Sequence, residues 1–219
     1  FSSNKNVVRL VKAVLELRKK KGFEDTKLTV IGGGKADNAD TERIIAENPD
    51  AVNYLGKIYD KNELIRQFRQ HSVFAMPSIH ETFGLVYLEA LSQNLACLYT
   101  KGQGIDGLFD ETIGISVDPK SVDEIKDALE ELLKNRKNYG NQHVDFSQFR
   151  WKLIGEKYKN FYQDCLGIPV ANISLLTSFK KWGGVIRNSL KRLKNNKIAF
   201  GTFVGSSVLM RNCRIGKHC

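Results

Sequence analysis

The sequence contains no CxxC pair, and no histidine stands at a zinc-ligand spacing from Cys97, Cys165, Cys213 or Cys219. That excludes a structural zinc site and a disulfide framework, and the thiols are expected to be buried side chains of a cytoplasmic protein. No signal peptide opens the chain, and no apolar run approaches the ~20 residues that span a bilayer, so a soluble intracellular protein is expected. Acidic residues are missing from one region altogether. Residues 1–166 hold 24 basic and 24 acidic side chains, whereas 167–219 hold 10 basic and none acidic. The net charge of +10 therefore belongs to the tail. It marks a module boundary near Gly167 and argues against a nucleic-acid binder, whose basic stripe would lie on the folded domain itself. The GxGxxG spacing of a dinucleotide turn is also lacking at Gly32-Gly33-Gly34, which sets aside a nicotinamide oxidoreductase.

What is present is a regular alternation of helices and short strands. Val7, Leu10, Val11, Val14 and Leu17 follow helical spacing, and Lys27–Ile31 is an apolar strand ending in the three glycines. Further helices are expected at Thr41–Glu47, Asn62–Gln70, Leu85–Gln93, from an N-cap at Ser121 to Asn135, and at Trp151–Tyr162. Strands are expected at Val52–Leu55, Val73–Met76, Ala96–Tyr99 and Ile113–Val117. Such alternation predicts a doubly wound parallel α/β sheet with its ligand at the carboxyl ends of the strands. Residues 1–166 form one domain on this reading, with 167–219 as an added piece.

The densest chemistry lies in Pro77-Ser78-Ile79-His80-Glu81-Thr82-Phe83-Gly84-Leu85-Val86-Tyr87-Leu88-Glu89-Ala90, where seven residues separate two glutamates. A helix starting near Gly84 puts Glu81 in the loop at its amino end and Glu89 inside it, roughly 10 Å away. Free backbone N–H groups lie between them. A diphosphate suits that place, because a helix start carries orphan donors and about half a positive charge, and Gly84 lacks the Cβ that would block close approach. Glu89 is then placed to accept hydrogen bonds from ribose hydroxyls, and Glu81 from those of a sugar.

These residues resemble the E-x7-E signature of the family-4 retaining glycosyltransferases, which have two Rossmann-like domains in the GT-B arrangement. Other segments are similar in the same order. Lys5-Asn6-Val7 resembles the family's E-K-N-V, Ile31-Gly32-Gly33-Gly34 its V-G-x-G turn, Val52-Asn53-Tyr54-Leu55-Gly56 its v-x-f-L-G, and Phe149-Arg150-Trp151 its f-x-W. The resemblance covers about residues 1–165. It implies that Lys5 binds the donor diphosphate and that Glu81 lies by the transferred sugar. By the same resemblance Glu89 binds ribose, Gly84 and Leu85 offer main-chain contacts to phosphate, and Phe83 and Gly33 belong to the donor site. The family's arginine upstream of that lysine would fall before Phe1. The small-G-x-P-V run after the second glutamate is replaced here by Asn94-Leu95-Ala96-Cys97-Leu98, with Asn94 expected to keep the left-handed turn. Gly102-Gln103-Gly104-Ile105 still resembles the glycine-rich loop near the donor.

The implied activity is transfer of a sugar from a UDP- or GDP-sugar to a polysaccharide or lipid-linked acceptor with retention of configuration, and no metal is expected. As a fragment supplying only the donor half, this chain is expected to be inactive by itself. An acyltransferase with a sugar-nucleotide-binding appendage is the alternative, and a non-catalytic donor-binding subunit a further one. In the tail, Ser174–Lys194 reads as a basic amphipathic helix, suited either to packing on a neighbouring module or to peripheral contact at the inner face of a membrane. Phe203, Leu209 and Ile215 recur every six residues, each followed by a small residue, and Val208–Cys219 resembles the hexapeptide repeat of left-handed β-helix acyltransferases. A complete β-helix would bring a trimer; His218 is assigned no catalysis.

Overall fold

In this computed structural model, which describes residues 3–33, 39–109, 111–166 and 207–211, apolar spacing sets the elements. A short 3-10 turn at Ser3–Lys5 leads into α1, Val7–Arg18. There follow β1 (Lys27–Ile31), α2 (Ala39–Ala46), β2 (Val52–Gly56), α3 (Lys61–Arg69), β3 (Val73–Ala75), α4 (Leu85–Ser92), β4 (Ala96–Thr100), β5 (Gly114–Val117) and α5 (Val122–Lys134). The expected helix stop and start devices are in place. Ser121 caps α5 by accepting from the Glu124 amide at 3.1 Å. Asn94 adopts the left-handed turn after α4 with φ 60°, and its side chain accepts from the Asn141 amide.

The chain divides into two compact units, Phe1–Val144 with Phe203–Cys219, and Asp145–Thr202. In the first, a six-stranded sheet has the order β2-β1-β6-β3-β4-β5, where β6 is Ser207–Arg211. The pairs β1/β2, β3/β4 and β4/β5 are parallel, as expected. One member is not. β6 runs antiparallel between β1 and β3, with Thr29 opposite Leu209 and Leu209 opposite Phe74. Its Val208-Leu209-Met210 is a continuous apolar run of the kind that suits a central strand. Apart from these five residues the expected hexapeptide coil lies outside the described residues, as do Gly34 and the basic helix of 174–194.

Period-two alternation splits the strand side chains between two faces. Val73, Ala75, Ala96 and Leu98 join Leu28 and Val30 under α1 and α5, whose Leu10, Val14, Leu17, Ile125, Leu129 and Leu132 are fully buried. On the other face the rings of Phe68, Phe74, Tyr87 and Tyr99 follow one another, tilted at the first contact and edge-on at the next two, with centroids 6.1, 5.4 and 6.4 Å apart. Cys97 faces this side as a buried free thiol, its pKa pushed up by burial. Because all strands but β6 are parallel, the loops after β1, β2, β3, β4 and β5 emerge at one edge of the sheet.

The second unit holds a 3-10 turn at Phe146–Phe149, capped by Asp145, and α6, Trp151–Leu166. Trp151, Tyr158 and Phe161 are exposed on that helix. No described helix is long and apolar enough to cross a membrane.

Candidate functional site

Lys5 and Glu81, 76 residues apart, meet at that sheet edge. The Lys5 ammonium donates to Glu81 Oε2 at 2.8 Å. Both side chains are largely covered, with 19% and 11% of their surface exposed, so salt screens the pair less than it would a surface bridge. Lys5 ends the first 3-10 turn, and Asn6 behind it takes a left-handed conformation, φ 58°, which asparagine adopts more readily than other residues with a side chain. That turn aims Lys5 across the start of α1 at the loop after β3.

The loop from Pro77 to Glu81 has no regular structure, yet every main-chain polar group in it is engaged. Asn6 Nδ2 donates to the Pro77 carbonyl at 2.9 Å and also to that of Pro119 at 2.6 Å. The Ser78 amide donates to Met76, and the Ser78 carbonyl accepts from the Thr100 hydroxyl. The Ile79 amide donates to the Asn4 carbonyl, and the Ile79 carbonyl accepts from Gln103 Nε2. Asn4 pairs with His80 in both directions, its Nδ2 donating to the carbonyl and its Oδ1 accepting from the amide, each at 2.7 Å. The Glu81 amide donates to Gln103 Oε1 at 2.8 Å, and the Glu81 carbonyl accepts from the Gly104 amide at 3.2 Å. Loops without a ladder stay fixed only when such groups find partners, and here side chains supply most of them.

Beyond this loop α4 begins. Gly84 occupies its N-cap with φ 76° and ψ 70°, and no side chain caps that end. A Cβ on Gly84 would stand 2.6 Å from the Tyr87 ring. Tyr87 is fixed in turn by its hydroxyl, which donates to the Met76 carbonyl at 2.5 Å. The first turn carries no acidic residue, so the partial positive charge of the helix start is not neutralised from within the helix. Leu85, the first helical residue, is 61% exposed, and Phe83 before it is half-buried. Gly104, with φ 61°, closes over the site from the loop after β4, its Cα close enough that a Cβ would meet Glu81 Cγ at 3.2 Å and the Phe83 carbonyl at 3.3 Å.

Glu89 is the fifth residue of α4 and is exposed. Protein nevertheless crowds its carboxyl, and the resulting desolvation raises its pKa, while the Lys61 charge at the start of α3 pulls the other way. Gly33 lies two residues past the end of β1 at the same sheet edge, with φ 129°. His80 is exposed, tied to Asn4 through its main chain. The structure thus brings Lys5 and Glu81 into contact and places Gly84 and Leu85 at an uncapped helix start beside them. Asn4, Asn6, Gln103 and Lys61 join this neighbourhood without having been assigned roles from sequence. Among the described residues no three His, Cys, Asp or Glu side chains gather as metal ligands would.

Residues 1–148 match the family described as glycosyl transferases group 1. The D-inositol 3-phosphate glycosyltransferase of Corynebacterium aurimucosum is 26% identical over 170 residues, which are 74% of this chain and 40% of that enzyme. The chain therefore spans about two fifths of the length of the curated relatives it matches. Among solved structures, the C-terminal domain of a glycosyl transferase group 1 family protein (LpcC) from Francisella tularensis superposes with a TM-score of 0.56 at 25% identity, covering 72% of this chain and 82% of that domain. Sucrose-phosphate synthase from Thermosynechococcus elongatus superposes with a TM-score of 0.61 at 23% identity, over 77% of this chain and 44% of that one. A family match over most of the chain, carried on the fold its solved members share, makes this protein a member of the glycosyl transferases group 1 family.

Proposed function

We propose that the unit carrying Lys5, Glu81 and Glu89 forms the donor site of a retaining hexosyltransferase that moves a sugar from UDP or GDP to a saccharide or lipid-linked acceptor. The observation that carries this reading is the Lys5–Glu81 pair set beside the uncapped, glycine-started helix α4. A diphosphate lying on the α4 start receives its free amides and shares Lys5 with Glu81. Glu81 then faces the sugar on one side of the diphosphate, and Glu89 the ribose on the other. Relatives named D-inositol 3-phosphate glycosyltransferase support an inositol phosphate among the candidate acceptors.

In the reaction, the bond between the sugar's anomeric carbon and the diphosphate oxygen breaks, and its electron pair stays with the diphosphate. An acceptor hydroxyl forms the new bond to that carbon on the same face and gives its proton to the departing phosphate oxygen. Lys5 and the α4 amides stabilise the growing negative charge, and because they are held in place beforehand the step is proposed to run without a metal. The acceptor half of the cleft corresponds to the part of the relatives that this chain does not span, so the chain is expected to bind donor without transferring it.

Isothermal titration of the chain with UDP, GDP and ADP tests it. Binding of one of them at about millimolar affinity or tighter is expected, weakened by Glu89→Ala. Flat heats for all three contradict the reading.

A further inference from the structure

Glu81 and Lys5 have opposite supports, and both run through carboxamides. On the lysine side Asn4, the residue before Lys5, grips the His80 main chain twice with its side chain and takes the Ile79 amide with its own carbonyl. On the other side Gln103 reaches from the loop after β4 and bonds the Glu81 amide and the Ile79 carbonyl with the two ends of one carboxamide. Residues Ile79 to Glu81 are thus held between two planar groups, each used as donor and acceptor at once. A carboxamide alone among small side chains offers both roles on one rigid plane. A carboxylate in either place keeps the bond from the amide and loses the bond to the carbonyl.

We propose that Asn4 and Gln103 are positioning residues for the donor sugar: they clamp the Ile79–Glu81 main chain and so fix the Glu81 carboxylate opposite Lys5. The inference rests on the donor-site reading above. The two residues act through Glu81 and touch no reacting atom. Their value is geometric, because a charged group set by a fully bonded loop needs little rearrangement when the sugar arrives, whereas one on a loose loop must be ordered by the ligand. Gly104 supports the same arrangement by lying against the Glu81 side chain without a Cβ between them.

The test is a mutant cycle on the full chain, read by titration with UDP-glucose and GDP-mannose and with UDP and GDP alone. Asn4→Ala and Gln103→Ala are each expected to weaken binding of the nucleotide-sugar about tenfold, in the range of couplings between contacting residues. In a Glu81→Gln background the same substitutions are expected to change it less than about twofold. Asn4→Asp and Gln103→Glu, which keep one bond of each pair, are expected to fall between, and thermal unfolding identifies any variant that does not fold. A clamp that serves folding alone would weaken binding equally in both backgrounds, and that result overturns the inference. So does binding that neither substitution alters. If the unsubstituted chain binds no nucleotide at all, the donor-site reading fails and takes this inference with it, whereas binding left intact by the substitutions removes the inference alone.

Discussion

Glu89 lies exposed on α4, yet nearby protein raises its pKa above the ordinary glutamate value and the Lys61 charge only partly offsets this. The sign of the consequence follows from which state holds the proton more tightly. Between the unfolded and the folded pKa the native chain binds more protons than the unfolded one, so stability declines as pH rises through that window and levels off above it. Donor binding goes the other way. In the proposed site ribose hydroxyls would donate to the ionised carboxylate, so affinity for UDP or GDP is expected to fall as pH drops through the raised pKa. Titrations across pH of the unsubstituted chain and of Glu89→Gln separate this from the titration of the phosphates, since only the former carries the extra dependence. Parallel curves for the two proteins contradict the role given to Glu89. Glu81 and Glu89 stood out in the sequence by their spacing around an expected helix start, and Lys5 by the resemblance of Lys5-Asn6-Val7 to a family segment. Asn4 and Gln103 did not. Their function is to bond the main chain of a loop distant in sequence, and in the sequence they look like any polar residue in a turn. Lys61 was hidden for a similar reason, since its partner lies on a different helix.

The boundaries of the elements followed closely from periodicity and caps. Ser121 and Asn94 behaved as their side-chain chemistry requires. The start of α4 joins structure to chemistry most directly, because one glycine serves both. At φ 76° its backbone suits glycine, and a Cβ would press on a Tyr87 ring wedged between Phe74 and Tyr99. Gly84→Ala is therefore expected to cost at least the ~1–2 kcal/mol of the left-handed conformation, with the clash added. Urea unfolding measures this as a lowered midpoint at unchanged slope. Nucleotide affinity is expected to fall even under conditions where the variant is fully folded, because the first amides of the helix turn with the cap. A midpoint equal to that of the unsubstituted chain contradicts the geometry. β6 was the element that periodicity missed. A five-residue strand with three consecutive apolar residues has too little pattern to reveal its partners, and its place between two strands far upstream is set by long-range pairing alone.

Across the molecule, the parallel direction of five strands is what turns scattered residues into a site. It brings the loops after β1, β3 and β4 to one edge, so that Gly33, Glu81 and Gly104 share it, and α1, packed on the sheet through Leu10, Val14 and Leu17, sets the turn that delivers Lys5. The alternation of helix and strand was enough to foresee this edge, and the family match over residues 1–148 agrees with it. The spacing of side chains across the edge was not foreseeable, since it depends on loop geometry that main-chain bonds to side chains decide. The proposed donor site requires a diphosphate to lie on the amino end of α4. Amide chemical shifts of the isotopically labelled chain, followed as UDP or GDP is added, test it most directly. The largest shifts are predicted at Phe83, Gly84, Leu85 and Val86, with Lys5 and Glu81 moving alongside them. Saturable binding with its largest shifts elsewhere, and these amides unmoved, would contradict it.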